Sequence, residues 1–578
     1  MKNTLLIVIA GLLLASCGND SSETKIDMTE PANPQATDPA LWSGIASPVI
    51  SFGSIDCRYA ANLPFTGTVS EEISLRGWKG ESLSAQIVVS SPESLSGLEC
   101  IVGDFKSERQ TMRNVAHARF VKYVLSDDFL PESPCGLRLE NAPAHIEPDL
   151  LDNASSIDMP AMSTRPVWLT VNIPVNSEAG VYRGNVTVKA GGEEKELRVN
   201  LEVIDRTLPE ASEWKYHLDL WQHPSSVARA ESLELWSDEH FERMRPTMQL
   251  LADAGQKVIT ATLNKDPWNH QCYDAYEDMI VWTRNQDGSW SYDYSVFDRW
   301  VEFMMNLGIR KYINCYSMAP WNDMLHYTDA ASGETVDVQA TPGTPEFYGM
   351  WTPFLKDFVS HLKTKGWLEI TNIAMDERSP QVMDATVALL EEAAPELGIA
   401  LADNHKSYKK YPQIEDICTD ISGHISQEDI DARRAEGKTS TFYVCCSTYF
   451  PNTYTSSDPA EATYLSWYGA ANDYDGFLRW AYNSWTEDPI RDSRFRTWTA
   501  GDTYIVYPGG LSSIRFERLR EGVQDWEKLH ILRKEFIAAG NVDKVRELDE
   551  LLLPFRNPEK VSNWNDLLNE AKARLNRL

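Results

Sequence analysis

Cysteine is scarce in this 578-residue chain: nine are present, and no CxxC pair occurs among them. Beyond Cys17, the irregularly spaced Cys57, Cys100, Cys135, Cys272, Cys315, Cys418, Cys445 and Cys446 show no metal-ligand spacing, and a chain of this size needs no staples. Buried thiols are therefore expected, with no metal and no cofactor, although export permits a bond. Positive charge is also in short supply. Against 85 Asp and Glu stand only 54 Lys and Arg, a formal net charge of −31. Such a surface argues against nucleic acid and anionic lipid as general partners, and it repels a heavily sulfated glycan unless a local basic patch intervenes. Long apolar runs are missing too, since the run 5–14 falls well short of the roughly 20 residues a membrane span needs.

What that run does suit is export. Residues 1–16 carry one Lys and then apolar residues, and Leu14-Ala15-Ser16-Cys17 resembles the end of a bacterial lipoprotein signal peptide. The resemblance implies that Cys17 is the lipidated first residue of the mature protein. It also implies attachment to a membrane through that lipid and a place in the cell envelope, at the outer membrane and facing the periplasm or the surface. Residues 17–44, rich in Ser, Asp, Glu, Asn and Pro over 19–37, read as a flexible tether.

From there the chain divides by its periodicity. Residues 45–208 read as all-β: 84–89 and 167–173 are short strands, and 181–188 and 197–203 flank a Gly191-Gly192 turn, which predicts an antiparallel β-sandwich. Residues 209–540 change rhythm to apolar strand, polar loop and amphipathic helix. Strands are expected at 216–221, 257–263, 311–316, 371–375, 399–403, 417–422, 441–446 and 476–483, with helices at 241–254, 295–307, 354–365 and 382–394 between them. Eight such repeats predict a (β/α)8 TIM-type barrel over a doubly wound open sheet. Residues 541–578 form a C-terminal helical segment.

A barrel of this kind carries its chemistry at the C-terminal ends of its strands. Polar and aromatic residues gather there: Trp221, Asn264, Tyr316, Asn404, His424, Tyr443 and Trp485, with Tyr507 beyond the last strand. His223 and His405 are the replacements if a strand is out of phase by one residue. Aromatic walls with a few directed polar groups suit a pyranose ring, whose C–H face stacks while its hydroxyls need partners. At the fourth strand, Asn372-Ile373-Ala374-Met375 runs into Asp376-Glu377-Arg378. Neighbouring side chains on a strand point to opposite sides, so the pair at its end can approach a bound ring from two directions. Close like charges hold one carboxyl toward neutrality, which a general acid requires. The plain alternative is a surface turn with two solvated acids.

The tail holds Gly501-Asp502, Tyr507-Pro508-Gly509 and Arg515-x-Glu517-x-x-Arg520-x-Gly522-x-x-Asp525, the last a helix whose charges, at spacings of three to five, read as a solvated face. Together with Arg76-Gly77 ahead of Glu81 and the Asp376-Glu377 pair, these motifs resemble glycoside hydrolase family 123, the β-N-acetylgalactosaminidases. Thr503 departs from the pattern, standing where Gly is expected after Gly501-Asp502. The resemblance implies retaining, substrate-assisted hydrolysis of a glycan, one of the exceptions to the two-carboxylate rule. Asp376 would orient the 2-acetamido N–H and stabilise the oxazolinium ion, while Glu377 would protonate the leaving oxygen and then activate water. Two other readings stay open: a non-catalytic glycan-binding lipoprotein, and a glycosidase of other specificity with a protein nucleophile, Asp219 or Asp403.

Overall fold

The computed structural model describes residues 26–133, 135 and 143–578. The signal segment and Cys17 lie outside the described residues. Residues 26–42, expected to belong to a tether, are held against the folded body instead. Arg165 forms a two-point pair with Glu30 at 2.5 and 2.8 Å, Lys122 donates to the Met28 carbonyl at 2.5 Å, and Trp42 is buried.

The first domain is the expected sandwich. One sheet has five strands, in the order Val49–Gly53, Ser82–Ser91, Ser163–Asn172, Ala116–Ser126 and His145–Asp152. Facing it is a seven-stranded sheet in which Gly180–Ala190 and Glu193–Thr207 form the long central pair. Ile87, Val167 and Leu169 from the first sheet meet Tyr182, Val186 and Leu197 from the second in one buried core. The sandwich is not wholly antiparallel, because Glu72–Lys79 runs parallel to Glu193–Thr207.

The second domain is an eight-stranded parallel barrel: β1 (His217–Leu220), β2 (Val258–Thr262), β3 (Tyr312–Tyr316), β4 (Thr371–Asp376), β5 (Gly398–Asp403), β6 (Ile414–Asp420), β7 (Thr439–Tyr443) and β8 (Gly476–Arg479). The expected strands all form, although β8 stops at Arg479 rather than at 483. Strand order is β1-β8-β7-β6-β5-β4-β3-β2. At the β1–β2 seam the backbone pairing thins to a bridge from Leu218 to Gln256, and glutamine amides take over. Gln256 accepts from Leu220 N–H at 2.9 Å and donates to the Val258 carbonyl at 2.8 Å, while Gln222 accepts from Thr260 N–H at 2.9 Å. A primary amide offers the same donor and acceptor as a peptide, so these side chains satisfy backbone groups that an open seam would orphan. Around β2 and β3 the chain adds a four-stranded sheet, Trp290–Asp293, Val281–Arg284, Met324–Asp329 and Thr335–Gln339, which the strand–helix rhythm did not foretell.

The tail helix Ile514–Ala538 corrects the reading of a solvated face. It is wedged between the barrel and the sandwich, and its charged residues find partners in the first domain. Arg515 Nε donates to Asp149 at 2.9 Å, Arg119 pairs with Glu517 at 3.1 Å, Arg518 with Asp56 at 2.8 Å and Lys528 with Glu81 at 2.5 Å. These helix residues are buried. Gly522 lets the helix approach Pro459–Ala471, since a Cβ there would lie 2.8 Å from the Thr463 carbonyl oxygen. Gly501 has φ +79° and a Cβ there would meet Thr455 Oγ1 at 2.3 Å, so the loop requires glycine. Thr503 has no positive φ, so its backbone does not demand the glycine expected there.

The eight cysteines past Cys17 are not all thiols. Cys135, in the first domain, is disulfide-bonded to Cys446, just beyond β7, which corrects that expectation for this pair. An interdomain bond of this kind depends on two loops meeting across 311 residues of sequence, which spacing does not reveal. Cys57, Cys100, Cys272, Cys315, Cys418 and Cys445 are free.

Candidate active site

Alternation along the strands decides what faces the barrel axis. On β4, Ile373 and Met375 join the outer core under the helices, whereas Ala374 joins an inner cluster with Trp221, Tyr316, Ala402, Cys418, Tyr443 and Leu478. Asp376 follows Ala374 in phase and ends the strand at the C-terminal mouth. There a cleft of about 470 Å³ opens, with Asp376 and Glu377 in its wall.

The two carboxylates are held apart. Asp376 is buried and accepts a hydrogen bond from Trp268 Nε1 at 2.9 Å, from the loop after β2. Glu377 turns out of the strand direction with φ 47°, a left-handed conformation that costs a non-glycine residue of order 1 kcal/mol or more. Its N–H still pairs with the Ala402 carbonyl at 2.8 Å, so the turn is pinned by β5. The exposed Glu377 side chain then reaches the other flank, where the Tyr443 hydroxyl donates to its Oε1. Burial drives Asp376 well above the ordinary carboxylate range, and the charge of Glu377 pushes it further, while the Trp268 N–H pulls the other way. The raised carboxyl expected of the pair is therefore the shorter, buried one.

The remaining expected site residues divide. Trp221, Asn404 and Tyr443 line the cleft. Tyr316 stands behind the wall, 4.7 Å from the Trp221 ring and 5.0 Å from the Trp268 ring. Asn264 is not brought in: both ends of its amide are used by the His326 backbone, at 3.0 and 3.1 Å. Trp485 is fully buried and donates to the Val506 carbonyl at 2.7 Å. Tyr507 is buried between the domains and donates to Asp149 at 2.7 Å. His424 follows the lining residues Ser422 and Gly423 but is itself outside the lining, its ring edge-on to Tyr474. His223 is buried, bonded to Ser484 Oγ and the Ala275 carbonyl and stacked on Tyr276 at 3.7 Å; burial lowers its pKa to about 3, against the opposing pull of the Ala275 carbonyl. His405 is exposed outside the cleft lining. Neither alternative nucleophile reaches the mouth. Asp403 caps the following turn through Ser407 N–H at 2.5 Å, and Asp219 lies below Trp221 on the inner face of β1, outside the cleft lining.

Four tryptophans were left out of the expected site. Trp268 holds Asp376, Trp321 Nε1 donates to the Asp376 carbonyl at 3.2 Å, and Trp480 and Trp498 pair edge-to-face at 6.0 Å along the wall. Trp480 was within reach of the sequence: it directly follows Arg479, the true end of β8, and running the strand on to 483 moved attention to Trp485. Trp268 was also in view, among the polar and aromatic residues a few positions past the end of β2, whereas Trp321 and Trp498 come from loops whose course only the fold sets.

A parallel barrel with a carboxylate pair at the mouth of an aromatic-walled cleft is the architecture of a glycosidase. Sequence comparison makes the class specific. The profile for the glycoside hydrolase 123 catalytic domain matches residues 221–532, more than half the chain, and that for the glycoside hydrolase 123 N-terminal domain matches residues 52–190. The chain belongs to glycoside hydrolase family 123. A family 123 glycoside hydrolase from Clostridium perfringens, solved in work on glycolipid glycan hydrolysis, is 27% identical over 92% of this chain and 98% of its own, with a TM-score of 0.81. Far weaker matches are β-glucuronidase 3 of Bacteroides uniformis, at 10% identity over 83% of this chain and 51% of its own with a TM-score of 0.29, and the GH20 exo-β-N-acetylglucosaminidase of Vibrio harveyi, at 9% over 71% and 82% with a TM-score of 0.20. Among curated proteins no sequence matches.

Proposed function

We propose that this glycosidase releases β-linked N-acetylgalactosamine from glycans with retention of configuration, using the 2-acetamido oxygen of the substrate as the nucleophile. The observation that supports this reading is the divergence of the two carboxylates: Asp376 is drawn toward the β2 flank by Trp268, and Glu377 toward the β7 flank by Tyr443. Asp376 is a buried acceptor short of hydration, and an amide N–H supplies the donor it lacks. As the acetamido oxygen closes on the anomeric carbon, positive charge grows on that nitrogen and favours the aspartate anion opposite. Removing a preorganised group of this kind costs about 3 kcal/mol of transition-state stabilisation. Glu377, on its longer and exposed side chain held by Tyr443, donates its proton to the glycosidic oxygen as the bond to the aglycone breaks. It then takes a proton from the water that opens the oxazolinium ring. Trp221 supplies an apolar wall, with Asn404 and Tyr443 as polar partners.

A protein nucleophile is disfavoured because Asp403 and Asp219 do not line the cleft. The deciding experiment is hydrolysis of an aryl β-N-acetylgalactosaminide with the product anomer followed by NMR. Retention, inhibition by a thiazoline analogue and loss of most turnover in Glu377→Gln and Asp376→Asn are expected. Normal turnover in both variants, or cleavage of a substrate lacking the acetamido group, rules the reading out. Lipidation of Cys17 and a cell-envelope location belong to the same proposal. Mass spectrometry of the mature N-terminus checks them, since a lipid-free terminus would refute the anchor.

A further inference from the structure

The strong negative charge of the chain is not spread evenly. At the end of the barrel opposite the catalytic mouth, a lysine stands just ahead of each of three consecutive strands: Lys215 before β1, Lys257 before β2 and Lys311 before β3. Lys215 and Lys311 open on a second cavity, of about 480 Å³, which the tail helix lines with Trp526 and His530, their ring planes 8° apart at 5.2 Å. Arg434, Lys438 and Arg533 line it too, but each has a carboxylate: Arg434 pairs with Asp475 at 3.1 Å, Lys438 with Glu436 at 2.5 Å and Arg533 with Asp549 at 2.7 Å. The lining acids are occupied in turn. Asp475 also accepts Ser440 N–H at 2.9 Å, and Asp473 accepts from the Gln427 amide at 2.8 Å. Behind the wall, Glu527 accepts the Lys215 and Tyr216 N–H groups, and Asp416 is bonded to His217 and Asn314.

Lys215 and Lys311 differ from the paired cations. Lys311 commits two of its three N–H donors, to His217 Nδ1 at 3.0 Å and Thr439 Oγ1 at 3.3 Å, neither of them a carboxylate. Among the described residues the Lys215 ammonium has no bonding partner, and neither lysine is in a salt bridge. The charges around them leave a positive field. Lys257 is lowered to about 8, by burial first; Glu527 opposes the fall, and Lys311 and Lys215 add to it. His530 is held below its usual value by lost hydration first and then by Lys534, Lys215 and Arg434, with Asp475 opposing.

We propose that this cavity is a second saccharide site, which holds an acidic sugar by its carboxylate or sulfate group on Lys215 and Lys311 while the ring lies against Trp526 and His530. The inference does not depend on which sugar the catalytic cleft hydrolyses. Ammonium groups that lack a carboxylate gain a charge-assisted hydrogen bond from an incoming oxyanion, and a cavity walled by protein strengthens it. A bare oxyanion fills little of a cavity this size, which falls in the range of small-molecule sites, about 300–1,000 Å³. The apolar wall beside the ammonium groups suits the ring that carries the acid. Because the cavity and the carboxylate pair lie at opposite ends of the barrel, a glycan bound here leaves the cleft open. An otherwise acidic enzyme is thereby kept on an acidic glycan, at a raised effective concentration of the residues its cleft attacks.

The test is calorimetric titration of the whole protein with four probes: digalacturonate, a sulfated galactose, neutral galactobiose and sodium sulfate. At least one of the two acidic sugars is expected to bind about tenfold or more tighter than galactobiose and than sulfate. Lys215→Glu is expected to weaken that binding about tenfold or more, and Trp526→Ala about threefold or more. Thermal melts show whether either variant is folded; Lys215→Ala, a milder change at an exposed position, is expected to weaken binding about threefold should Lys215→Glu unfold. Binding of neither acidic sugar, or an affinity that the Lys215 variants leave unmoved, overturns the proposal. Sulfate bound as tightly as the acidic sugars, with Trp526→Ala silent, overturns the saccharide assignment and leaves a bare oxyanion site. Because binding is read without turnover, failure of the hydrolytic reading does not affect the outcome.

Discussion

Tyr443 donates its hydroxyl hydrogen to Glu377, while Trp268 donates to Asp376, the residue immediately before it, so consecutive carboxylates are gripped from opposite flanks of one barrel mouth. The left-handed turn at Glu377 makes this divergence possible, because it swings the second side chain out of the alternation of β4.

Tyr443→Phe keeps the ring and removes the hydroxyl that holds Glu377. A drop in kcat/KM of about tenfold to a hundredfold on an aryl β-N-acetylgalactosaminide is expected, within the range that a positioned acid–base group contributes. An unchanged rate would show that the hydrogen bond is idle.

Asp376→Asn should remove activity and stabilise the fold at neutral pH. The carboxyl sits well above its ordinary range when folded, so between the unfolded and folded values the native state holds more protons than the unfolded one. Stability from this group is thus complete below about pH 4 and declines as pH rises. The neutral amide has no such decline. Its thermal midpoint should exceed wild type at pH 7, with the gap closing toward pH 4.

His223 carries the opposite sign. Burial lowers it from 6.5 to about 3. The unfolded chain then binds the extra proton first, so the contribution is complete above pH 6.5 and is lost as pH falls toward 3. In His223→Gln, thermal midpoints measured between pH 6.5 and 4.5 should fall less steeply than in wild type. Parallel curves would show that His223 is already free to titrate.

Asp149→Ala leaves Arg515 buried without its carboxylate and removes the acceptor of Tyr507. Breaking one partner of a buried pair costs about 3–5 kcal/mol. A fall of several degrees in thermal midpoint is expected, with catalysis at low temperature less affected because the pair lies outside the cleft lining.

Sequence alone pointed to the architecture: eight apolar segments separated by helical periods favour a parallel barrel over a doubly wound sheet, and alternation in the first domain favours a sandwich. Asp376-Glu377 was legible for a local reason, since a strand that ends in two acids marks its own mouth. The placement of Asn264, Trp485 and Tyr507 was not, because a polar or aromatic residue near a strand end serves loop, core or domain interface according to what packs against it. Tertiary structure alone decided that Trp268 and Tyr443 hold the acids, that the charged tail helix is buried between domains, and that Cys135 meets Cys446. Each depends on groups distant in sequence and close in space, a relation that periodicity, which reports only neighbours along the chain, does not contain.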